Sequence, residues 1–228
     1  MPMSLGPVTN PWVFDCDGVI LDSNRIKTDA FRVVIERNYN SSLAQKMVDY
    51  HVANGGISRF KKFDWFLNQH VQFDANNLRK LCIEYGDAVK LRLLDAPLVP
   101  GVLEFLELLK AKSNDVFVVS GGLQDELRFV FQERELAPYF TGIFGSPKDK
   151  VSILSDLSEK GFNLENGVFF GDAKADYVAA QQHNMKFVFV EQFSEARAWF
   201  EQEQLNAIKI GKKVFLSIVN FLEIDKVY

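Results

Sequence analysis

The sequence predicts an α/β fold: a Rossmann-like, doubly wound parallel sheet with a helical segment inserted after its first strand. Three observations carry that expectation. Short apolar runs recur, each closing on polar or glycine residues, and a stretch of helical periodicity follows each run. One long segment, residues 24–95, holds amphipathic helical patterns and no strand pattern. The implied division is a core of residues 1–23 and 96–228 and a helical segment of residues 24–95. With 228 residues, 47% of them hydrophobic, the chain is long enough for one sizeable core plus a small insert.

Trp12-Val13-Phe14-Asp15-Cys16 reads as the first buried strand. Within the inserted segment, helical spacing shows in Ala30-Val33-Val34, Phe60-Phe63-Phe66-Leu67 and Leu78-Leu81-Cys82-Tyr85. Gly55-Gly56 interrupts it, and Pro97 and Pro100-Gly101 close it. Phe60, Phe63, Trp65 and Phe66 read as the core of this insert. Further strands are expected at Asp115–Val119, Gly167–Phe170 and Lys186–Val190. Leu123, Leu127, Val130 and Phe131 mark the helix after the first of these runs. Asn184 follows a helix over Tyr177–His183 and reads as its left-handed terminator.

Charge and cysteine usage exclude several classes. Lys and Arg number 26 against 30 Asp and Glu, a net charge of -4 that argues against nucleic acid as a partner. Cys16 and Cys82 are too few for a disulfide framework and lack metal-ligand spacing. Met1 to Asn10 shows no basic start followed by an apolar stretch, so no secretory leader is expected. No apolar run approaches the ~20 residues of a membrane span. The expectation is a cytoplasmic protein.

In a doubly wound sheet, ligands collect outside the carboxyl ends of the strands. Asp15 and Asp17 follow the first strand, and on an extended segment they face the same way. Two such carboxylates can divide nucleophilic attack from proton transfer, while Gly18 lets the chain turn away. Gly171-Asp172-Ala173-Lys174-Ala175-Asp176 ends another strand. Asp172 is either a helix cap or an acid completing a magnesium site, and Asp176 lies one turn further on. Ser120-Gly121-Gly122 ends a third strand; Ser120 is either an N-cap or, with the Gly121 backbone, a phosphate seat. Lys148 and Lys150 flank Asp149 before a helix expected near Val151; either can neutralise charge at the carboxylates. Lys150, next to the helix that packs back on the sheet, is preferred.

The order Asp-x-Asp-Gly, strand-end Ser, Lys, then Gly-Asp-x-x-x-Asp resembles the haloacid dehalogenase superfamily, from Val13 to about Val190. Phe14 through Ser23 carry the most specific part of the match. The resemblance implies a phosphatase with a small helical cap, of the phosphoglycolate phosphatase and beta-phosphoglucomutase type, and residues 24–95 match that cap. It implies Asp15 as nucleophile and Mg²⁺ ligand, and Asp17 as general acid and base with its backbone carbonyl on the metal. It implies Ser120 on the phosphoryl oxygens, Lys150 stabilising charge, Asp172 on the metal, and Asp176 as ligand or support. An acid at Asp17 also points to phosphate chemistry, because the dehalogenase branch lacks it. The third motif departs from the lysine-proline form common among relatives.

The activity so implied is hydrolysis of a small phosphorylated metabolite through an aspartyl-phosphate. A phosphomutase acting on a sugar phosphate is the alternative. A non-catalytic binding protein on the same fold would have no physical need for all four acids. The Gly55-Gly56-Ile57-Ser58-Arg59 stretch resembles the relatives' cap substrate loop; Arg59 is either a substrate contact or a surface arginine.

Overall fold

The computed structural model describes residues 10–209 and 215–224. Residues 1–9, over which no leader is expected, lie outside the described residues. Six strands form one parallel sheet in the order β3-β2-β1-β4-β5-β6. They are β1 (Trp12–Phe14), β2 (Val116–Leu123), β3 (Gly142–Ser146), β4 (Val168–Gly171), β5 (Lys186–Val190) and β6 (Leu216–Ile218). The chain winds outward from β1 to β3, then returns to the other side of β1. The topological switch point therefore lies between β1 and β4, where such sheets bind ligands.

Two strands were not expected from the sequence. β3 reads Gly142-Ile143-Phe144-Gly145-Ser146, with too few apolar residues between its glycines to stand out. β6 is a three-residue edge strand carrying a serine. β2 also runs past Val119 to Leu123, with an irregular register against β3. Ser120-Gly121-Gly122 thus lies inside the strand, and the next helix starts only at Gln124. The expectation of a helix start directly at Ser120 is corrected accordingly.

Alternation along the strands divides the core between two faces. Trp12, Phe14, Val116, Val118, Val168, Phe170, Val188 and Val190 share one cluster. Val13, Phe117, Val119, Phe169, Phe187 and Phe189 share the other, as the period of two requires. On the first face, Phe105 of α5 (Val102–Ala111) meets Trp12 edge-on at 5.5 Å between ring centres. Phe170 stacks on Phe14 at 4.8 Å and meets Phe221 at 5.3 Å. The second face packs against α7 (Lys150–Glu159), α8 (Lys174–Gln182) and α9 (Arg197–Lys209). α6 (Gln124–Glu133) packs beside β2 and β3. Asn184 follows α8 with φ of 54°, the left-handed terminator expected.

Between β1 and β2 the chain forms α1 (Asn24–Asn38), α2 (Ser41–Ala53), α3 (Arg59–His70) and α4 (Ala75–Leu94). Local signals set their starts. Asn40 accepts a hydrogen bond from the Leu43 N–H at 2.9 Å, and Asp74 accepts one from the Asn77 N–H at 3.0 Å. α3 buries Arg59, Lys62, Phe63, Phe66 and Leu67, an inward stripe at i, i+3, i+4, i+7 and i+8. Phe31 meets Phe63 at 5.1 Å and Tyr85 at 4.3 Å, so the insert has its own aromatic centre. The two chain crossings into it are tied side by side. Asp22 N–H donates to Pro97 at 2.8 Å, and Val99 N–H to Ile20 at 2.9 Å.

Phe170 is fully buried among four rings, so Phe170→Ala removes volume that rigid neighbours cannot refill. The expected loss is about 3–5 kcal/mol, read as a lower urea midpoint with an unchanged slope.

Candidate active site

β1 and β4 are neighbours, so the residues that follow them meet at the switch point. The Asp15 N–H donates to the Phe170 carbonyl at 2.9 Å, which fixes the end of β1 against β4. Asp15 is buried, and its Oδ1 accepts the Cys16 N–H at 2.7 Å. Lys150, the first residue of α7, brings its Nζ to 2.8 Å from Asp15 Oδ1 and also pairs with Asp176 Oδ1. Asp176 completes its bonding by accepting the Ala173 N–H on Oδ2 at 3.0 Å, which caps α8. Of the two candidate lysines, Lys150 is thus the one brought to the carboxylates. Lys148 pairs with Asp156 at the surface.

Asp15, Asp172 and Asp176 each place a carboxylate oxygen within 4.8 Å of the others, all three buried. Burial, with their mutual repulsion, raises the pKa of two of them. Burial, then Asp15 and Asp176, hold the Asp172 carboxyl well above the usual range. Burial and Asp15 push Asp176 up to about 7 despite Lys150. Asp172 Oδ2 accepts from Asn24 Nδ2 at 2.6 Å. Asp15 Oδ2 and Asp172 Oδ1 accept no hydrogen bond among the described residues. Both residues line the cleft, so these oxygens are available to a hard cation, which favours carboxylate ligands.

Gly18 makes this gathering possible. Its φ is +73°, and a Cβ there would stand 2.3 Å from Asp172 Oδ2. Asp17, directly before this turn, lines the same cleft as Asp15 and Asp172. There Ser23 donates to its Oδ1 at 2.6 Å and Lys27 pairs with its Oδ2. Burial works to raise the Asp17 carboxyl, but Lys27 and Ser23 outweigh it and hold the group below its ordinary value. Asp17 therefore rests as a carboxylate.

The loop between α2 and α3 covers these residues. Gly56 O comes so near Gly121 that a Cβ on Gly121 would lie 2.4 Å from it. Gly121 and Gly122 line the cleft with Asp15, Asp17 and Asp172. Ser120 is wholly buried, its hydroxyl accepting the Gly122 N–H at 3.1 Å. Arg59 also lines the cleft, yet its guanidinium forms a two-pronged ion pair with Glu126 of α6, one arm at 2.9 Å. It lies 4.6 Å over the Tyr85 ring. The cleft's cavity volume is about 60 Å³.

Several cleft residues escaped sequence reasoning. Asn24 and Lys27 stand on the first turns of α1, directly after the Asp15–Ser23 stretch, where proximity was a usable signal. His51 and Lys62 are buried, and Lys62 Nζ stands 2.6 Å from His51 Nδ1. Lys62 shares the phase of the α3 apolar stripe, and a charge in that phase was the available clue. His51 Nε2 is buried with no hydrogen-bond partner in the described structure, an arrangement that costs about 1–3 kcal/mol.

The sequence matches the haloacid dehalogenase-like hydrolase family over residues 12–190, most of the chain. The chain belongs to that family. The hydrolase has the fold of a beta-phosphoglucomutase from Clostridium difficile, at TM-score 0.68 and 18% identity over 94% of this chain and 92% of that one. A protein described as a predicted phosphoglycolate phosphatase from Haemophilus somnus 129pt aligns at TM-score 0.63 and 18% identity, over 78% and 84% of the two chains. A protein described as a predicted phosphatase from Clostridium acetobutylicum aligns at 0.68 and 18%, over 93% and 95%. No protein in the curated comparison matches the sequence. Among the described residues, no helix of the hydrolase is long and apolar enough to cross a membrane.

Lys150 is the only cation in direct contact with the three carboxylates among the described residues. Replacing it by Met leaves buried negative charge uncompensated and destabilises the metal-free hydrolase by about 3–5 kcal/mol near neutrality. The sign with pH follows from the raised carboxyls. Their protonated form favours the folded state, and that contribution is lost as pH climbs from about 4 through the folded values. The Lys150→Met penalty is therefore smaller at about pH 5 than at pH 8, checked by urea denaturation at both.

Proposed function

We propose that this hydrolase is a phosphomonoesterase that transfers the phosphoryl group of a small metabolite to Asp15 and then to water. The observation that carries the proposal is Lys150 joining Asp15 to Asp176 at the switch point, with Asp172 beside them. It supports a nucleophile whose charge is offset where a phosphate dianion would otherwise be repelled. On this reading, residues 24–95 form a cap over the core.

Asp15 attacks phosphorus, and the bond to the leaving oxygen breaks. Asp17 supplies the proton that oxygen needs. Although Asp17 rests ionised, an incoming phosphate dianion raises its carboxyl as any like charge does, so substrate binding loads the acid. After the alcohol leaves, Asp17 is a carboxylate again and takes a proton from water attacking the aspartyl-phosphate. Lys150 stays paired with Asp15 and Asp176 throughout, and the Gly121 region receives the phosphoryl oxygens beside Ser120.

The oxygen donors suit Mg²⁺, which Asp15 and Asp172 would hold with the Asp17 backbone carbonyl. Both oxygens of Asp176 are already occupied, so it positions Lys150. The metal would supply charge neutralisation at the phosphoryl oxygens. The mutase alternative uses the same residues, and product analysis on sugar phosphates separates transfer from hydrolysis.

Asp15→Asn is expected to lower kcat by more than about 10⁴-fold while the protein still folds. Near-normal phosphate release by that variant would overturn the covalent mechanism. Asp17→Asn lowers kcat by about 10²–10⁴-fold. Chelation abolishes turnover, and Mg²⁺ restores it. Independently of activity, Mg²⁺ raises Tm more at about pH 8 than at pH 5.5, because it binds the carboxylates only as their protons leave. Equal shifts at both pH values would remove the metal from these acids.

A further inference from the structure

Lys62 lies three residues after Arg59 on the buried face of α3 and lines the cleft. Its side chain is almost fully buried, at 2% exposure. The other cations around the cleft each have a carboxylate: Lys27 has Asp17, Arg59 has Glu126, and Lys150 has Asp15 and Asp176. Lys62 pairs with none among the described residues. Its hydrogen bond runs instead to His51 Nδ1.

An ammonium can only donate, so His51 Nδ1 accepts and the ring's proton sits on Nε2. That N–H is buried without an acceptor. A carboxylate oxygen, Glu195 Oε2, stands 4.0 Å away, beyond hydrogen-bond reach, with Glu195 held by Thr28 at 2.9 Å. The Lys62–His51 pair thus carries unspent donors on a wall of the cleft that holds Asp15. Phe31 backs it, with its ring centre 5.5 Å from Lys62 Nζ.

We propose that Lys62, positioned by His51 Nδ1, receives a second anionic group on the substrate, a carboxylate or a second phosphoryl group. The substrate is then a small, doubly anionic phosphomonoester. The inference rests on the reading of Asp15 as phosphoryl acceptor at the other end of the same molecule. An anion at the cleft side of Lys62 supplies its missing counter-charge, whereas a neutral polyol leaves it without one; His51 Nε2 lies on the opposite side of its ring from Lys62, toward Glu195. Burial and Lys27 push Lys62 down to about 7, and burial, Lys62 and Lys27 lower His51. An anion reverses that direction for both groups. Glu195 and Asp17 oppose any acidic ligand that fails to reach the pair directly.

The test is calorimetric binding of three non-hydrolysable probes to the Mg²⁺-loaded protein. They are 3-phosphonopropionate, propane-1,3-diyl bisphosphonate and propylphosphonate, which share a phosphonate and differ at the far end. One of the first two should bind about 10–100-fold more tightly than propylphosphonate, the scale of a charge-assisted contact. Whichever does so identifies the second anion. Lys62→Met, close in volume, should erase that preference. Equal binding of all three probes by the wild type overturns the proposal without need of a variant, as does a preference that survives in Lys62→Met. An acid preference in a protein that turns over no phosphomonoester would sink the phosphatase reading, and with it the phosphomonoester substrate, leaving Lys62 only as an anion-binding residue.

Discussion

Three carboxylates crowd the ends of two adjacent strands, and their repulsion is the constraint around which the site is built. Close packing puts them there. β1 and β4 are neighbours, Gly18 removes the side chain that would strike Asp172, and the Asp15 N–H is tied to Phe170. One ammonium, Lys150, cannot balance three buried acids, and the raised Asp172 and Asp176 carboxyls record the deficit. A structure that holds such a deficit in a stable core has a use for added positive charge. That favours a cation-assisted site over a purely structural ion-pair network.

The opposite wall is close to balance. Lys27, Arg59 and Lys62 come from α1 and α3 and stand against Asp17, Glu126 and Glu195, while burial and the nearby lysines keep His51 neutral. Of these cations, Lys62 alone has no carboxylate in ion-pair contact among the described residues, so an anionic ligand group finds its unanswered charge there. Discrimination would come from the helical wall, because the sheet side needs only the phosphoryl end.

How much of this was legible depends on whether a residue's neighbours in sequence are also its neighbours in space. β1, β2, β4 and β5 announced themselves because each is an apolar run fully buried by helices. Asp15, Asp17, Asp172 and Asp176 could be read because they directly follow such runs. β3 and β6 were illegible: one is interrupted by glycines, and the other is a short edge strand. Lys62 and His51 come together only through the packing of α2 against α3; the phase of Lys62 in the α3 apolar stripe is a local clue, but it does not name its partner. Arg59 shows the intermediate case. Its place in a loop-to-helix break was visible, but its pairing with Glu126, 67 positions away, was not.

That pairing also shapes how the cleft can open. The surface contact of Lys61 with Asp149, at 3.3 Å between largely exposed groups, contributes little. The buried Arg59–Glu126 pair is different, since separating it exposes both charges to water and so relieves their burial as it breaks their attraction. Such a latch stabilises closure without making opening prohibitive. Meanwhile the crossings at Ile20–Asp22 and Pro97–Val99 are bonded to each other and not to the moving helices. A swing of residues 24–94 about them would also have to break Asn24 on Asp172, Lys27 on Asp17 and Thr28 on Glu195. The aromatic centre of Phe31, Phe63 and Tyr85 lies wholly on the swinging side, so opening need not disrupt it. Beyond those pairs, opening parts the Gly55-Gly56 loop from Gly121, which it closely approaches beside Asp15 and Asp172.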